Sequence, residues 1–179
     1  RTNKPVLGVL PYLHGLYIDV EDGVNTVEKT GSSKHTETLK VVVPVLPRMS
    51  NHTDFDALRH HDDIDCQFLF AKGSKDEVNP EKITIPACEL IILPGSKNVR
   101  SDLKFLRQRG WDDAIAKHLR YRGKVIGICG GYQMLGDLIA DPEGIEGQKG
   151  SSKGLSYFAM NTVLASNKTL MNVSGVLNI

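Results

Sequence analysis

The four residues Leu90-Ile91-Ile92-Leu93 carry no polar side chain at either of the two alternating positions of a strand. Such a run is covered on both faces, which is the situation of a strand inside a parallel sheet. It does not stand alone. Leu39 to Leu46 and Cys66 to Phe70 read as further strands, and Lys124 to Ile128 as another. Helical patterns fall between them. Thr53-Asp54 opens one before Phe55, Ala57 and Leu58, and Ser101-Asp102 caps a second carrying Leu103, Phe105 and Leu106 up to Gly110. Trp111, Ile115 and Leu119 mark a third, with Asp112 and Asp113 in its first turn and Arg120 in its last. Met134, Leu135, Leu138 and Ile139 mark a fourth. A Gly-rich loop over 141–154 then leads to a β-like stretch, 157–177. Strands alternating with helices predict an α/β fold, a mostly parallel sheet with helices on both faces. Sites in such sheets lie at the carboxyl ends of the strands.

Composition narrows the function classes. Among 179 residues, 22 Lys+Arg balance 21 Asp+Glu for a net charge of +1, which argues against a nucleic-acid binder or a polybasic membrane binder. Three cysteines are too few, and odd in number, for a secreted disulfide framework, and without a C-x-x-C they do not suggest a zinc site, so no metal is expected. Pro5 to Leu10 is a short strand-like run, interrupted by Gly8 and ended by Pro11, and is too short for a signal segment or a membrane span. Residues 19–38 mix charges with Gly23, Gly31, Ser32 and Ser33 and offer little to pack. That is linker composition. The expected organisation is a tail of a preceding domain over 1–18, a linker over 19–38 and one domain over 39–179. The expected compartment is a reducing one, the cytoplasm, and the chain reads as a piece of a longer polypeptide.

The chemistry concentrates in Gly127-Ile128-Cys129-Gly130-Gly131. G-x-C-x-G is the cysteine version of a nucleophile elbow, in which a strand turns sharply into a helix and lifts the nucleophile above the sheet edge. The glycines leave room for the turn. A helix N-terminus aimed at the Cys129 sulfur favours thiolate, and the N–H of Gly130 is placed to hold a developing oxyanion. The bland alternative is a tight strand–helix turn with an inert cysteine. Gly95, in Leu93-Pro94-Gly95-Ser96-Lys97-Asn98, ends a neighbouring strand and can bring a second N–H; by itself it reads as an ordinary β-turn. Gln133, one turn past the cysteine, either meets a substrate or faces solvent. Cys66 and Cys88 border apolar strands and read as packing residues. All six histidines (His14, His35, His52, His60, His61 and His118) precede Cys129; His60, His61 and His118 read as solvated, and His52 at most as an edge residue.

Four blocks, in order, resemble the glutamine amidotransferase domain of the cobyric acid synthases, within the class I (triad-type) superfamily. They are residues 4–13 (Lys4-Pro5-Val6-Leu7-Gly8-Val9-Leu10-Pro11-Tyr12-Leu13), Leu46 to Leu58 (with Arg48-Met49-Ser50-Asn51-His52), Leu93 to Asn98 with Asp102-Leu103 and Gly110-Trp111-Asp112, and Gly127 to Gly136. The resemblance implies a flavodoxin-like fold in which Cys129 attacks the glutamine side-chain amide, Gly130 and Gly95 hold the oxyanion and Gln133 contacts glutamine. It implies that this domain carries no cofactor of its own, that ATP and Mg belong to an N-terminal synthetase domain, and that the ammonia amidates adenosylcobyrinic acid a,c-diamide, a corrinoid bound mainly by that domain.

The departures lie after residue 140, where Gly150 to Phe158 matches the family's Gly-Leu-Gly block only loosely, and in the histidine. The family's base follows the nucleophile in a G-Y-E-I-H block, and no histidine follows Cys129. The expectation is truncation before that block, with weak or no activity in these 179 residues alone. Rival readings are a sister amidotransferase (cobyrinic acid a,c-diamide synthase or lipid II isoglutaminyl synthase), a cysteine-elbow hydrolase or chaperone of the DJ-1 and PfpI type, and a non-catalytic docking module. The second needs an acidic residue at an early strand end, where this chain has Pro47-Arg48-Met49.

Overall fold

A computed structural model describes residues 38–71, 83–167, 170, 172 and 174–176. The readings for 1–18 and for most of the linker, and for the Pro5–Leu10 strand, lie outside the described residues.

Four parallel strands form the central sheet: β1 (Leu39–Pro44), β3 (Ile64–Leu69), β4 (Leu90–Leu93) and β6 (Lys124–Gly127), in the order β3-β1-β4-β6. Among these strands that is the order 2-1-3-4 of flavodoxin-like sheets, so the direction of winding reverses between β1 and β4. The register sets Val43 beside Phe68 and Val42 beside Ile91, and aligns Leu93 with Gly127. The four strands predicted for this sheet are present, Leu90–Leu93 with its ends unchanged and the others with ends shifted by at most two residues.

The expected covering of both faces is present. On one side Ile91 and Leu93 pack with Leu103, Leu106, Trp111 and Ile115 from α2 (Val99–Gln108) and α3 (Trp111–Arg120), and with Met134 from α4 (Gly130–Met134). On the other, Val41, Val43 and Ile92 pack on Phe55, which ends a 3-10 turn (His52–Phe55) leading into α1 (Asp56–His60). Phe55 meets Phe68 edge-on at 5.7 Å. Trp111 is fully buried, and its indole N–H donates to the Ile83 carbonyl at 3.0 Å. Gly110, at φ 72°, makes the corner between α2 and α3, a backbone conformation that costs glycine nothing. No helix among the described residues is long and apolar enough to cross a membrane.

Three expectations are corrected. The α2 cap is Asn98, whose side-chain oxygen accepts the Ser101 N–H at 3.0 Å; Ser101 and Asp102 lie inside the helix. The fourth helix ends at Met134, and Leu138 and Ile139 belong to a strand, β7 (Leu138–Asp141). Leu135, Leu138 and Ile139 fit helical spacing, but Gly136 closes a turn in which a Cβ would lie 2.6 Å from the Met160 carbonyl oxygen. The 141–154 loop and the β-like stretch after it contribute β8 (Gly150–Lys153) and β9 (Asn161–Val163), which flank β7 in a small mixed sheet. A two-stranded antiparallel ribbon, β2 (Met49–Ser50) with β5 (Gly95–Ser96), has no counterpart in the sequence reading.

Candidate active site

The carboxyl ends of β4 and β6 are adjacent, because Leu93 and Gly127 are partners in the register. Ile128 N–H then donates to the Leu93 carbonyl at 2.9 Å, which holds the elbow against β4. The turn follows immediately. Cys129 has φ 49° and ψ −110°, a conformation that L-residues avoid at a cost of about 1–3 kcal/mol. It is exposed, at the end of the strand and the start of α4. The glycines on either side of it permit close approach. A Cβ on Gly131 would lie 2.1 Å from the Leu93 carbonyl oxygen, and one on Gly127 would lie 2.6 Å from the Gly131 backbone.

The sequence-predicted groups converge here. A Cβ on Gly95 would lie 3.8 Å from the Cys129 Cβ, and one on Gly130 would lie 2.9 Å from the Ser96 nitrogen. The β5 segment is therefore in contact with the elbow. Gly130 begins α4, where an N–H has no intrahelical acceptor. Gln133 lies one turn on, half-buried, with its N–H donating to the Cys129 carbonyl at 3.1 Å. The helix itself is only five residues long, so what it directs at the sulfur is the N–H groups of one turn rather than the dipole of a long helix.

Among the described residues, Cys129 has no hydrogen-bonding base. His118 is not the freely solvated residue expected: its Nε2 lies 3.0 Å from the Lys124 carbonyl oxygen, at the end of β6 opposite the elbow. His60 and His61 are exposed on the α1 side, and His52 is buried within the 3-10 turn. Cys66 and Cys88 pack against the two cores as expected. Burial pushes the Cys66 thiol up to about 11, and burial raises Cys88 as well. No three His, Cys, Asp or Glu side chains come together as a metal site among the described residues.

The support behind β5 is not visible in the sequence. Asp102 is fully buried, and its Oδ2 accepts the Ser96 hydroxyl at 2.7 Å and the Arg48 N–H at 3.2 Å. Burial raises its carboxyl above the ordinary range, against the opposing pull of those two bonds. Arg48 Nη1 donates to Ser101 Oγ at 2.7 Å, and Lys97 N–H to the Arg48 carbonyl at 2.9 Å. A second brace comes from residues 141–154. Asp141 accepts the N–H groups of Gly144, Ile145 and Glu146 at 2.8 to 3.0 Å. The loop so folded presents the Glu146 carboxylate to Val99 N–H, at 2.8 Å, in the first turn of α2. One signal for Asp102 exists: it interrupts the apolar stripe Val99, Leu103, Leu106, and a carboxylate among core positions requires a partner.

The chain is similar to known proteins over most of its length. Residues 40–179 match the CobB/CobQ-like glutamine amidotransferase domain. A protein named cobyric acid synthase, from Photobacterium profundum, is 54% identical over all 179 residues. The chain spans 34% of that relative's length. Among solved structures, that of PurLQS from Thermotoga maritima is similar over 55% of this chain and 43% of its own, at 21% identity and a TM-score of 0.41.

Proposed function

The chain belongs to the CobB/CobQ-like glutamine amidotransferase family, and we propose that it is the ammonia-supplying part of a cobyric acid synthase. The observation that carries this reading is the meeting of Gly95, Gly130 and Cys129 at adjoining strand ends, with Cys129 in a strained turn and open to solvent. In the proposed reaction the Cys129 sulfur attacks the side-chain carbonyl carbon of glutamine. The carbonyl oxygen takes up negative charge and is held by N–H groups of Gly130 and the Gly95 segment. The carbon–nitrogen bond breaks, ammonia leaves with a proton, and a γ-glutamyl thioester remains. Water adds to the thioester, glutamate departs and the thiol is regenerated. Gln133 contacts the glutamine. The proton transfers need a base, and it comes from outside the described residues.

The ammonia then amidates activated carboxylates of a corrinoid, adenosylcobyrinic acid a,c-diamide, on the synthetase portion of a longer polypeptide. ATP and magnesium act in that portion. The tail over 1–18 and the linker over 19–38 precede a domain over 39–179, and the family match from residue 40 supports the start of that last segment. The three free cysteines support a cytoplasmic setting. The identity of the relative favours this substrate over those of the sister amidotransferases.

The test uses the full-length enzyme with the a,c-diamide, ATP and either glutamine or ammonia. Cys129→Ala is expected to lose amidation from glutamine and keep amidation from ammonia. Unimpaired use of glutamine by that variant overturns the reading in favour of a docking module, and failure to amidate the a,c-diamide with either nitrogen source assigns the chain to a sister enzyme.

A further inference from the structure

We propose that Asp102 is a positioning residue for glutamine hydrolysis, clamping Ser96 and Arg48 so that the Gly95–Ser96 strand holds its place against the Cys129 elbow. This rests on the glutaminase reading and deepens it. The clamp is built from three elements. Asp102 comes from α2, Ser96 from β5, and Arg48 from the segment just before β2. Ser96 is the residue on which Gly130 rests: a Cβ on Gly130 would lie 2.9 Å from the Ser96 nitrogen and 3.1 Å from its Cβ. The Ser96 hydroxyl donates to Asp102 and accepts the Asn98 N–H at 3.0 Å, so both its hydrogen-bonding roles are used. The Arg48 N–H goes to the same carboxylate oxygen, while the Arg48 carbonyl takes the Lys97 N–H. One buried oxygen thus ties together the two strands of the ribbon that borders the elbow. Its partner oxygen, Oδ1, is buried with no hydrogen bond among the described residues.

Asp102 does not touch the elbow; it acts on it through Ser96 and through the Arg48 segment that leads into β2. What it contributes is the placement of an oxyanion donor, an effect that belongs to the transition state and not to glutamine binding. Since both bonds are accepted by a single oxygen, an amide oxygen at the same position can do the same work, and the negative charge is not required.

The experiment measures kcat and KM for glutamine hydrolysis by the full-length enzyme, beside the rate at which iodoacetamide alkylates Cys129. Asp102→Ala and Ser96→Ala are each expected to lower kcat by about 10- to 100-fold with KM within about threefold, less than the roughly 10²–10³-fold cost of removing an oxyanion donor outright, because the donor is displaced and not lost. The double variant is expected to be no worse than either single one. Asp102→Asn is expected to restore kcat to within about fivefold of the unaltered enzyme. Alkylation, a displacement that passes through no oxyanion, is expected to stay within about twofold throughout. An unchanged kcat in Asp102→Ala or in Ser96→Ala, an Asn variant as slow as the Ala variant, or an alkylation rate that falls in step with kcat each overturns the positioning role. Glutamine hydrolysis that survives Cys129→Ala overturns the glutaminase reading, and this proposal with it. Hydrolysis abolished by Cys129→Ala but untouched by Asp102→Ala overturns the positioning role alone.

Discussion

Replacing Cys129 by glycine and by alanine separates the strain at the elbow from its chemistry. Both variants lack the sulfur. Cys129 is exposed, so neither loses much packing. They differ in what they do with φ 49° and ψ −110°. Alanine keeps a Cβ and keeps the strain, about 1–3 kcal/mol. Glycine is free of it but loses more chain entropy on folding, about 0.5–1 kcal/mol. The difference leaves Cys129→Gly at least as stable as Cys129→Ala, and more stable by up to about 2.5 kcal/mol. For a domain of this size that is a rise in Tm of up to about 10 °C. At an ordinary position the sign is reversed, because glycine destabilises relative to alanine. Paired urea and thermal unfolding of the two variants is the assay. A glycine variant less stable than the alanine variant by about 0.5–1 kcal/mol, the value for an unstrained site, refutes the strained elbow.

Further outcomes follow from other contacts. Gly131→Ala is expected to destabilise by about 3 kcal/mol or more, since its Cβ would lie 2.1 Å from a backbone carbonyl oxygen that cannot turn aside; Gly95→Ala, which meets the movable Ser50 hydroxyl at 2.8 Å, is expected to cost under about 1 kcal/mol while slowing glutamine hydrolysis. Denaturant titrations and rate measurements check the pair. At pH 8, limiting iodoacetamide is expected to label Cys129 ahead of Cys66, whose thiol sits at about 11, as peptide mapping would show. The same shift makes the folded protein lose stability as pH rises from the ordinary thiol value of 9.0 through about 11, because the unfolded thiol ionises first; Cys66→Ala is expected to flatten that part of the stability profile. Three N–H bonds hold the Asp141 carboxyl below its ordinary value of 3.8, against the opposing effect of burial. Its contribution is therefore present above that pH and lost on acidification through the lower folded value. Asp141→Ala is expected to make residues 142–150 the first site of proteolytic cleavage at neutral pH.

What sequence reasoning reaches and what it misses divide along a physical line. Leu90–Leu93 is legible because a strand buried between helices has no choice of residue type, and Lys124–Gly127, an edge strand with Ile126 exposed, is legible from its β-branched pair before the glycines. Trp111–Arg120 is legible because an amphipathic helix repeats its apolar side chains and places acids early and bases late. The elbow is legible because only glycine fits where Gly127 and Gly131 nearly touch other backbone. Leu135 to Ile139 mislead, since three apolar residues at that spacing serve a helix or a strand equally, and pairing with β8 and β9 decides the matter. The β2–β5 ribbon is two residues on each side, too short to show alternation. Asp102 reads as part of a cap because Ser-Asp before an apolar run has that meaning locally. Its real partners, Ser96 and Arg48, are 6 and 54 residues away. No local pattern carries a bond of the longer kind.

The proposed reaction requires Cys129 to form a covalent bond to the glutamyl group. Acid quenching of the full-length enzyme during turnover, followed by peptide mass spectrometry, tests it most directly. A γ-glutamyl group is expected on the peptide bearing Cys129, absent from the peptides bearing Cys66 and Cys88 and absent in Cys129→Ala. A γ-glutamyl adduct on another residue, or steady glutamine hydrolysis in Cys129→Ala, contradicts it.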